Sequence, residues 1–255
     1  NHLCGIEWYL ASTTDFCKAK LIVPLFPLMT MLISKRSCDA CRTIRDDLSS
    51  FNDGRVSSAN DAAISVALFA YAVKHDSANY KQLSVLGFEN SSHGYSIAGL
   101  SCSDASTNKN NCPTFKWPIA PLPKLDTTRL FAKENEEEEQ RCIDAAIKII
   151  KDKKAESKDV GAIIIEPITA LETNKQRLPF KIVKKIAAQE GIPFIVDETK
   201  IGIGASGKMW SHEYWYLSAK DGGCADIMTF AGKTGISGFY STADYRVDPH
   251  CHSFE

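Results

Sequence analysis

Three continuous apolar runs occur in the second half of the chain. They cover residues 160–168, 192–199 and 225–231, and the first is rich in β-branched side chains. Runs of this kind are typical of strands buried on both faces of a parallel sheet. Between the first two, residues 178–191 carry apolar side chains at helical spacing and end at Gly191, a common helix stop. The pattern therefore predicts a strand, a helix and a second strand.

The same alternation is found upstream. Residues 60–76 predict a helix, and residues 81–89 predict another strand. Residues 133–140 are mostly acidic and lead into an amphipathic helical stretch whose lysines come late, as the helix dipole prefers. Strands that alternate with helices predict an α/β fold, with a mainly parallel sheet flanked by helices.

Composition argues against nucleic-acid binding and against a membrane span. The 255 residues carry 30 basic and 31 acidic side chains, a formal net charge of -1, so we predict no nucleic-acid partner. The apolar run at residues 21–33 is interrupted by Pro24 and Pro27 and is shorter than the roughly 20 residues that span a bilayer. We predict a buried or partner-facing segment there and no membrane span, and no targeting segment is visible.

Nine cysteines are scattered along the chain, with one close pair at Cys38 and Cys41. The pair could supply half of a zinc or iron–sulfur site. A tetrahedral site needs about four ligands, however, and no second pair stands at a suitable spacing. We therefore predict reduced, unliganded thiols and no metal, and the role of the pair stays open.

Candidate chemistry collects where the predicted strands end. Glu166 ends the first strand, Asp197 and Glu198 end the second, and Lys233 lies just past the third. In such sheets, ligands bind at the carboxyl ends of the strands. A carboxylate there can hold a heterocyclic nitrogen protonated, and a lysine can form a Schiff base. The turn at residues 57–61 could receive a phosphate, which completes the components of a pyridoxal-phosphate site.

Longer motifs are similar to those of a known family. Over about residues 56–250 the chain resembles the 4-aminobutyrate aminotransferases, within the class III pyridoxal-phosphate aminotransferases, in "TFKWPIAPLPKL", "AKENEEEEQRC", "AIIIEPI", "FIVDETKIGIGASGKMWSHEYW" and "ADIMTF". The resemblance implies the large, cofactor-binding domain of a fold type I aminotransferase over residues 51–255, a divergent segment at 1–50 and an absent C-terminal domain. It also implies a mitochondrial location and a homodimer with the site between subunits.

Carried over residue by residue, the resemblance implies a partly retained site. Asp197 matches the aspartate that pairs with the pyridine nitrogen, and Glu166 matches a glutamate that lines the substrate pocket. Ser57 and Asn60 match the phosphate turn, in which Val56 stands where a glycine is usual. That replacement is unfavourable because valine lacks the dihedral freedom of glycine.

Other positions depart further from the family. His93 is retained, but Ser92 replaces the aromatic residue that stacks on the cofactor ring, and Tyr95 replaces the arginine that grips the substrate carboxylate. These changes remove an apolar contact and a bidentate clamp. Lys200 stands where the family has a glutamine that contacts the phenolic oxygen of the cofactor, which implies that a cation could bind that oxygen instead.

The Schiff-base lysine raises a question of register. Counted without gaps, the family's lysine falls on Gly232, and Lys233 matches its neighbour. A slip of one residue makes Lys233 the catalytic amine. Adjacent residues of an extended segment point to opposite sides, however, unless the backbone bulges.

These departures favour a degenerate protein over an enzyme. We predict an aminotransferase-like protein without transaminase activity, with pyridoxal phosphate or no cofactor, that acts as a structural or accessory subunit of a homo-oligomer or larger mitochondrial complex. The alternative is an active transaminase that moves an amino group from an ω-amino acid such as 4-aminobutyrate to 2-oxoglutarate. Binding of the cofactor without turnover lies between the two.

Overall fold

A computed structural model describes residues 47–51, 56–75, 82–104, 112–123, 133–168, 180–215, 225–232 and 237–245. Within these ranges the chain forms one sheet of seven strands. The strands are β1 Asp47–Phe51, β2 Ser84–Phe88, β3 Ile119–Ala120, β4 Val160–Ile165, β5 Phe194–Asp197, β6 Ile227–Phe230 and β7 Ser237–Ser241. Their order across the sheet is β1-β7-β6-β5-β4-β2-β3.

The sheet is mainly parallel, which confirms the predicted fold class. Strands β3, β2, β4, β5 and β6 run parallel to one another, whereas β7 is antiparallel to β6 and β1 is antiparallel to β7. The predicted strands at 81–89, 160–168, 192–199 and 225–231 correspond to β2, β4, β5 and β6. Every described residue of these four strands is buried, as continuous apolar runs require.

Helices cover both faces of the sheet. They are α1 Val56–Lys74, α2 Ile97–Cys102, α3 Lys133–Ala155 and α4 Phe180–Glu190, with short 3-10 segments at Ser211–Trp215 and Ala243–Tyr245. Alternate strand residues point to opposite layers. Ile164 joins the cluster that contains Ala63 of α1, whereas Ile163 joins the cluster that contains Ile150 of α3 and Ile186 of α4.

Helix α1 begins four residues before its predicted start at residue 60. Its polar first residues therefore form the first helical turn instead of a separate turn. By length and composition α1 could cross a membrane. Here, however, it packs on the sheet through Ala63 and Ala67, which have no exposed surface. Residues 21–33, Cys38, Cys41 and Lys233 lie outside the described residues.

Candidate functional site

The candidate site lies at the carboxyl ends of three adjacent parallel strands. Asp197 is the last residue of β5 and pairs with Thr229 of β6, while Glu166 directly follows β4. The first turn of α1 and the loop that follows β2 reach the same edge, since Asn60 and His93 both contact Asp197. The strand ends thus bring together side chains that are more than a hundred positions apart in sequence.

Asp197 is fully enclosed by protein donors. Its Oδ2 accepts hydrogen bonds from Asn60 Nδ2 at 2.9 Å and His93 Nδ1 at 2.7 Å. Its Oδ1 accepts from the amide and hydroxyl of Thr199. The side chains of Asp197 and His93 have no exposed surface. Burial alone would raise the pKa of Asp197, but the hydrogen bonds from His93 and Thr199 outweigh it and lower the pKa.

Asn60 connects three elements around this carboxylate. Its Nδ2 also donates to the carbonyl of His93 at 2.9 Å, and its Oδ1 accepts from Thr229 Oγ1 at 2.7 Å. Both polar atoms of the Asn60 side chain thus bind protein groups, and these hydrogen bonds hold Asp197 in position. The sequence prediction did not include Thr229, although a hydroxyl within the apolar run at 225–231 was a signal for a polar contact inside the sheet.

Glu166 forms the second polar centre. Its Oε1 lies 2.7 Å from Lys200 Nζ, and its Oε2 accepts from the amide of Ser92 at 3.0 Å. Lys200 Nζ also donates to the carbonyl of Ser92. Burial raises the pKa of Glu166, while its electrostatic interactions with His93 and Lys200 oppose that rise. Lys200 therefore ties the end of β4 to the loop after β2.

The turn predicted to receive a phosphate is compact. The hydroxyl of Ser57, in the first turn of α1, accepts from the amide of Tyr95 at 3.0 Å. Gly94 has a φ of 110°, and a Cβ at this position would lie 2.7 Å from Ser57 Oγ. The close approach of the loop after β2 to the first turn of α1 therefore requires glycine at position 94. Tyr95, which the resemblance aligns with an arginine, points outward and is 72% exposed.

The structure places Gly232 but not Lys233 among its described residues. Gly232 lies two positions after β6, is exposed and has a φ of 82°, which is a left-handed conformation. The segment is therefore not extended at this point, and the alternation of side chains assumed for a strand does not apply to it.

Glu198 and His212 form a buried carboxylate–imidazole pair next to the site, which the sequence analysis did not predict. Glu198 Oε1 accepts from the amide of His212 and lies 2.8 Å from His212 Nδ1. Both side chains are almost fully buried. Among the described residues, no group of three His, Cys, Asp or Glu side chains could hold a metal ion.

Comparisons with known proteins point to one family. A family model described as aminotransferase class-III matches residues 39–249. The chain is 35% identical to human mitochondrial 4-aminobutyrate aminotransferase over 167 residues, which are 64% of this chain and 33% of that protein. It is 37% identical to 4-aminobutyrate aminotransferase of Emericella nidulans over 163 residues, 62% of this chain and 31% of that protein. The matched region is thus about a third of the length of these curated relatives.

Solved structures show the same fold. A transaminase from the marine bacterium Virgibacillus superposes with a TM-score of 0.65 at 14% identity, covering 95% of this chain and 52% of that one. The lysine aminotransferase from M. tuberculosis in its internal aldimine form gives a TM-score of 0.63 at 20% identity, covering 86% of this chain and 54% of that one.

Proposed function

The chain belongs to the class III aminotransferase family, and on that premise we propose that it is an aminotransferase-like protein that does not catalyse transamination. The observation that carries this proposal is Gly232. The ungapped register puts the family's covalent lysine at this position, two residues past β6, and glycine has no amine. Without that amine a transaminase lacks its covalent step.

The family depends on pyridoxal phosphate, and the described residues do not fit a covalently held cofactor of this kind. Both oxygens of Asp197 already accept hydrogen bonds from protein donors. Position 92 carries a hydroxyl in place of a stacking ring. Lys200 binds both Glu166 and the Ser92 carbonyl, so the glutamate of the expected substrate pocket is already paired.

Reduction with borohydride tests the proposal directly. We expect the chain, incubated with pyridoxal phosphate and reduced, to carry no adduct at Lys233 by peptide mass spectrometry. We also expect no amino transfer from 4-aminobutyrate to 2-oxoglutarate. Lys233→Ala is the control, and it should behave as the unsubstituted chain does.

Two other outcomes would contradict this expectation in different ways. A stoichiometric adduct at Lys233, with amino transfer that Lys233→Ala abolishes, would establish the active transaminase instead. An adduct at Lys233 without transfer would establish cofactor binding without turnover. Both would show that the one-residue slip in register is tolerated.

We further propose that the chain is an accessory subunit that associates through an exposed apolar patch beside the site. The patch consists of Tyr95, Ile97, Phe115 and Trp117. The first three are 72%, 52% and 54% exposed, and the rings of Phe115 and Trp117 stack at 5.1 Å. Ser101 Oγ joins the two segments, since it accepts from the amide of Phe115 and donates to the carbonyl of Ile97. Neighbouring segments that expose large apolar side chains are typical of interaction surfaces.

Phe115→Ser should weaken association of the chain with a second copy of itself on the order of tenfold, because a central aromatic contributes much of the energy of an interface. Sedimentation over a concentration series measures self-association. Phe69→Ser is the comparison, because Phe69 is 65% exposed on α1, outside the patch. Equal effects of the two variants, or none, would contradict the assignment.

We also propose a mitochondrial location, because two of the relatives are named mitochondrial 4-aminobutyrate aminotransferases.

A further inference from the structure

Lys200 makes contacts that a surface lysine ordinarily does not. Its side chain is 27% exposed, and its ammonium is bound to Glu166 Oε1 and to the carbonyl of Ser92. The two acceptors come from different parts of the fold, the end of β4 and the loop after β2. An exposed lysine keeps its ammonium in water instead, and its ion pairs are weak.

The two acceptors have other contacts that hold them in place. The side chain of Glu166 is 1% exposed, and its second oxygen accepts from the Ser92 amide. On either side of Ser92, the Ser91 hydroxyl donates to the Phe88 carbonyl at 2.6 Å, and the His93 amide donates to Ser103 Oγ at 2.8 Å. The carboxylate and the carbonyl therefore remain together when Lys200 is shortened.

We propose that the Glu166 carboxylate and the Ser92 carbonyl form a binding site for a primary alkylammonium group, which the side chain of Lys200 fills from within the chain. A carboxylate beside a carbonyl offers acceptors only, and an alkylammonium group supplies N–H donors to both, as the ammonium of Lys200 does. The ligand class is a small primary amine, from methylammonium to propylammonium. The site shares the Lys200–Glu166 contact with the argument for the proposed function, but its test measures stability and amine binding, so it does not depend on transaminase activity.

Lys200→Ala tests the site by removing its internal ligand. The thermal midpoint should fall by on the order of 5 °C, because a buried carboxylate loses its partner. Methylammonium or propylammonium chloride should then restore the midpoint in a saturable manner, because binding to the folded state alone stabilises it. The unsubstituted chain should show no such recovery, since its own side chain occupies the site.

Matched controls separate binding from general salt effects. Tetramethylammonium chloride should restore nothing, because this cation has no N–H donor, and sodium chloride at the same concentration measures the effect of salt alone. Glu166→Gln combined with Lys200→Ala should abolish the recovery. Lys153→Ala is the matched lysine variant, because Lys153 is 24% exposed and pairs with Glu156, which is itself 48% exposed. Its midpoint should change little and should not respond to amines.

Several results would overturn the proposal. They are an unchanged midpoint in Lys200→Ala, equal recovery with tetramethylammonium, or recovery that persists in the double variant. If Lys200→Ala does not fold, reductive methylation of the unsubstituted chain decides instead. Lys200 should then react several-fold more slowly than Lys153, and Glu166→Gln should abolish the difference. Equal rates in the unsubstituted chain would overturn the proposal.

Discussion

Asp197→Asn should lower the free energy of unfolding by about 3–5 kcal/mol, the range observed when one partner is removed from a buried charged network. The carboxylate accepts from Asn60, His93 and Thr199 at distances of 2.7 to 2.9 Å. Asparagine has an NH2 group where aspartate has its second oxygen. At least one of these donors would then face that NH2 group and lose its hydrogen bond. An unsatisfied donor in a fully buried position costs the whole of its desolvation.

Chemical denaturation measures this loss, and a second aspartate gives the control. Asp104 Oδ2 accepts from the amide of Asn90 at 3.2 Å, but Asp104 is exposed. Asp104→Asn should cost well under about 1 kcal/mol, because water replaces the lost acceptor. A similar small loss for both variants would mean that the Asp197 network does not stabilise the fold.

Acid should reduce the difference in the free energy of unfolding between Asp197→Asn and the unsubstituted chain. The pKa of Asp197 is lower in the folded chain than its ordinary value of 3.8. A carboxylate with a lowered pKa contributes stability that is present above the ordinary pKa and is lost as the pH falls through the folded value. The difference should therefore be constant from about pH 5 to 8 and shrink below about pH 4.

Much of the fold could be predicted from the sequence because the strands in the middle of a parallel sheet are buried on both faces. That environment demands continuous apolar runs, and β4, β5 and β6 lie within the runs predicted for them. The position of Glu166 and Asp197 followed from the same pattern, since both stand where an apolar run ends. Topology then brings parallel strand ends to one edge of the sheet.

The edge of the sheet was less predictable. Strand β7 has the sequence "SGFYS", and its buried serines do not distinguish it from a loop. Its strand character comes from pairing with β6 and β1, which are distant contacts that composition does not reveal. The start of α1 was placed late for a related reason, because serine and asparagine are as favourable in the first turn of a helix as in a loop.

The site illustrates a second limit of sequence reasoning. Asn60 was assigned to a phosphate turn, and in the structure its amide bonds the carbonyl of His93 and a carboxylate 137 positions away. Lys200 was compared with a glutamine that contacts a cofactor, and its ammonium is bound to Glu166 and Ser92. The resemblance predicted that both side chains belong to one cofactor site. Which partner each one takes depends on the separation of loops, which sequence does not give.

Gly87→Ala should destabilise the fold by about 3 kcal/mol, at the upper end of the cost of overpacking a core. Gly87 lies in β2, and a Cβ there would lie 2.0 Å from the carbonyl oxygen of Cys102 and 3.1 Å from Ile119 Cδ1. The first contact is with backbone in the last turn of α2, which cannot move as a side chain can. The helix itself must shift away from the sheet.

That shift should also move the loop that carries His93, because the hydroxyl of Ser103, which follows α2, accepts a hydrogen bond from the His93 amide at 2.8 Å. Amide hydrogen exchange at His93 should therefore accelerate in Gly87→Ala. Gly161→Ala is the matched control in β4, since its Cβ would meet Leu68 Cδ2 at 2.9 Å, the end of a flexible side chain. It should cost about 1 kcal/mol and leave exchange at His93 unchanged. Equal losses and equal exchange in the two variants would mean that α2 does not position the loop that carries His93.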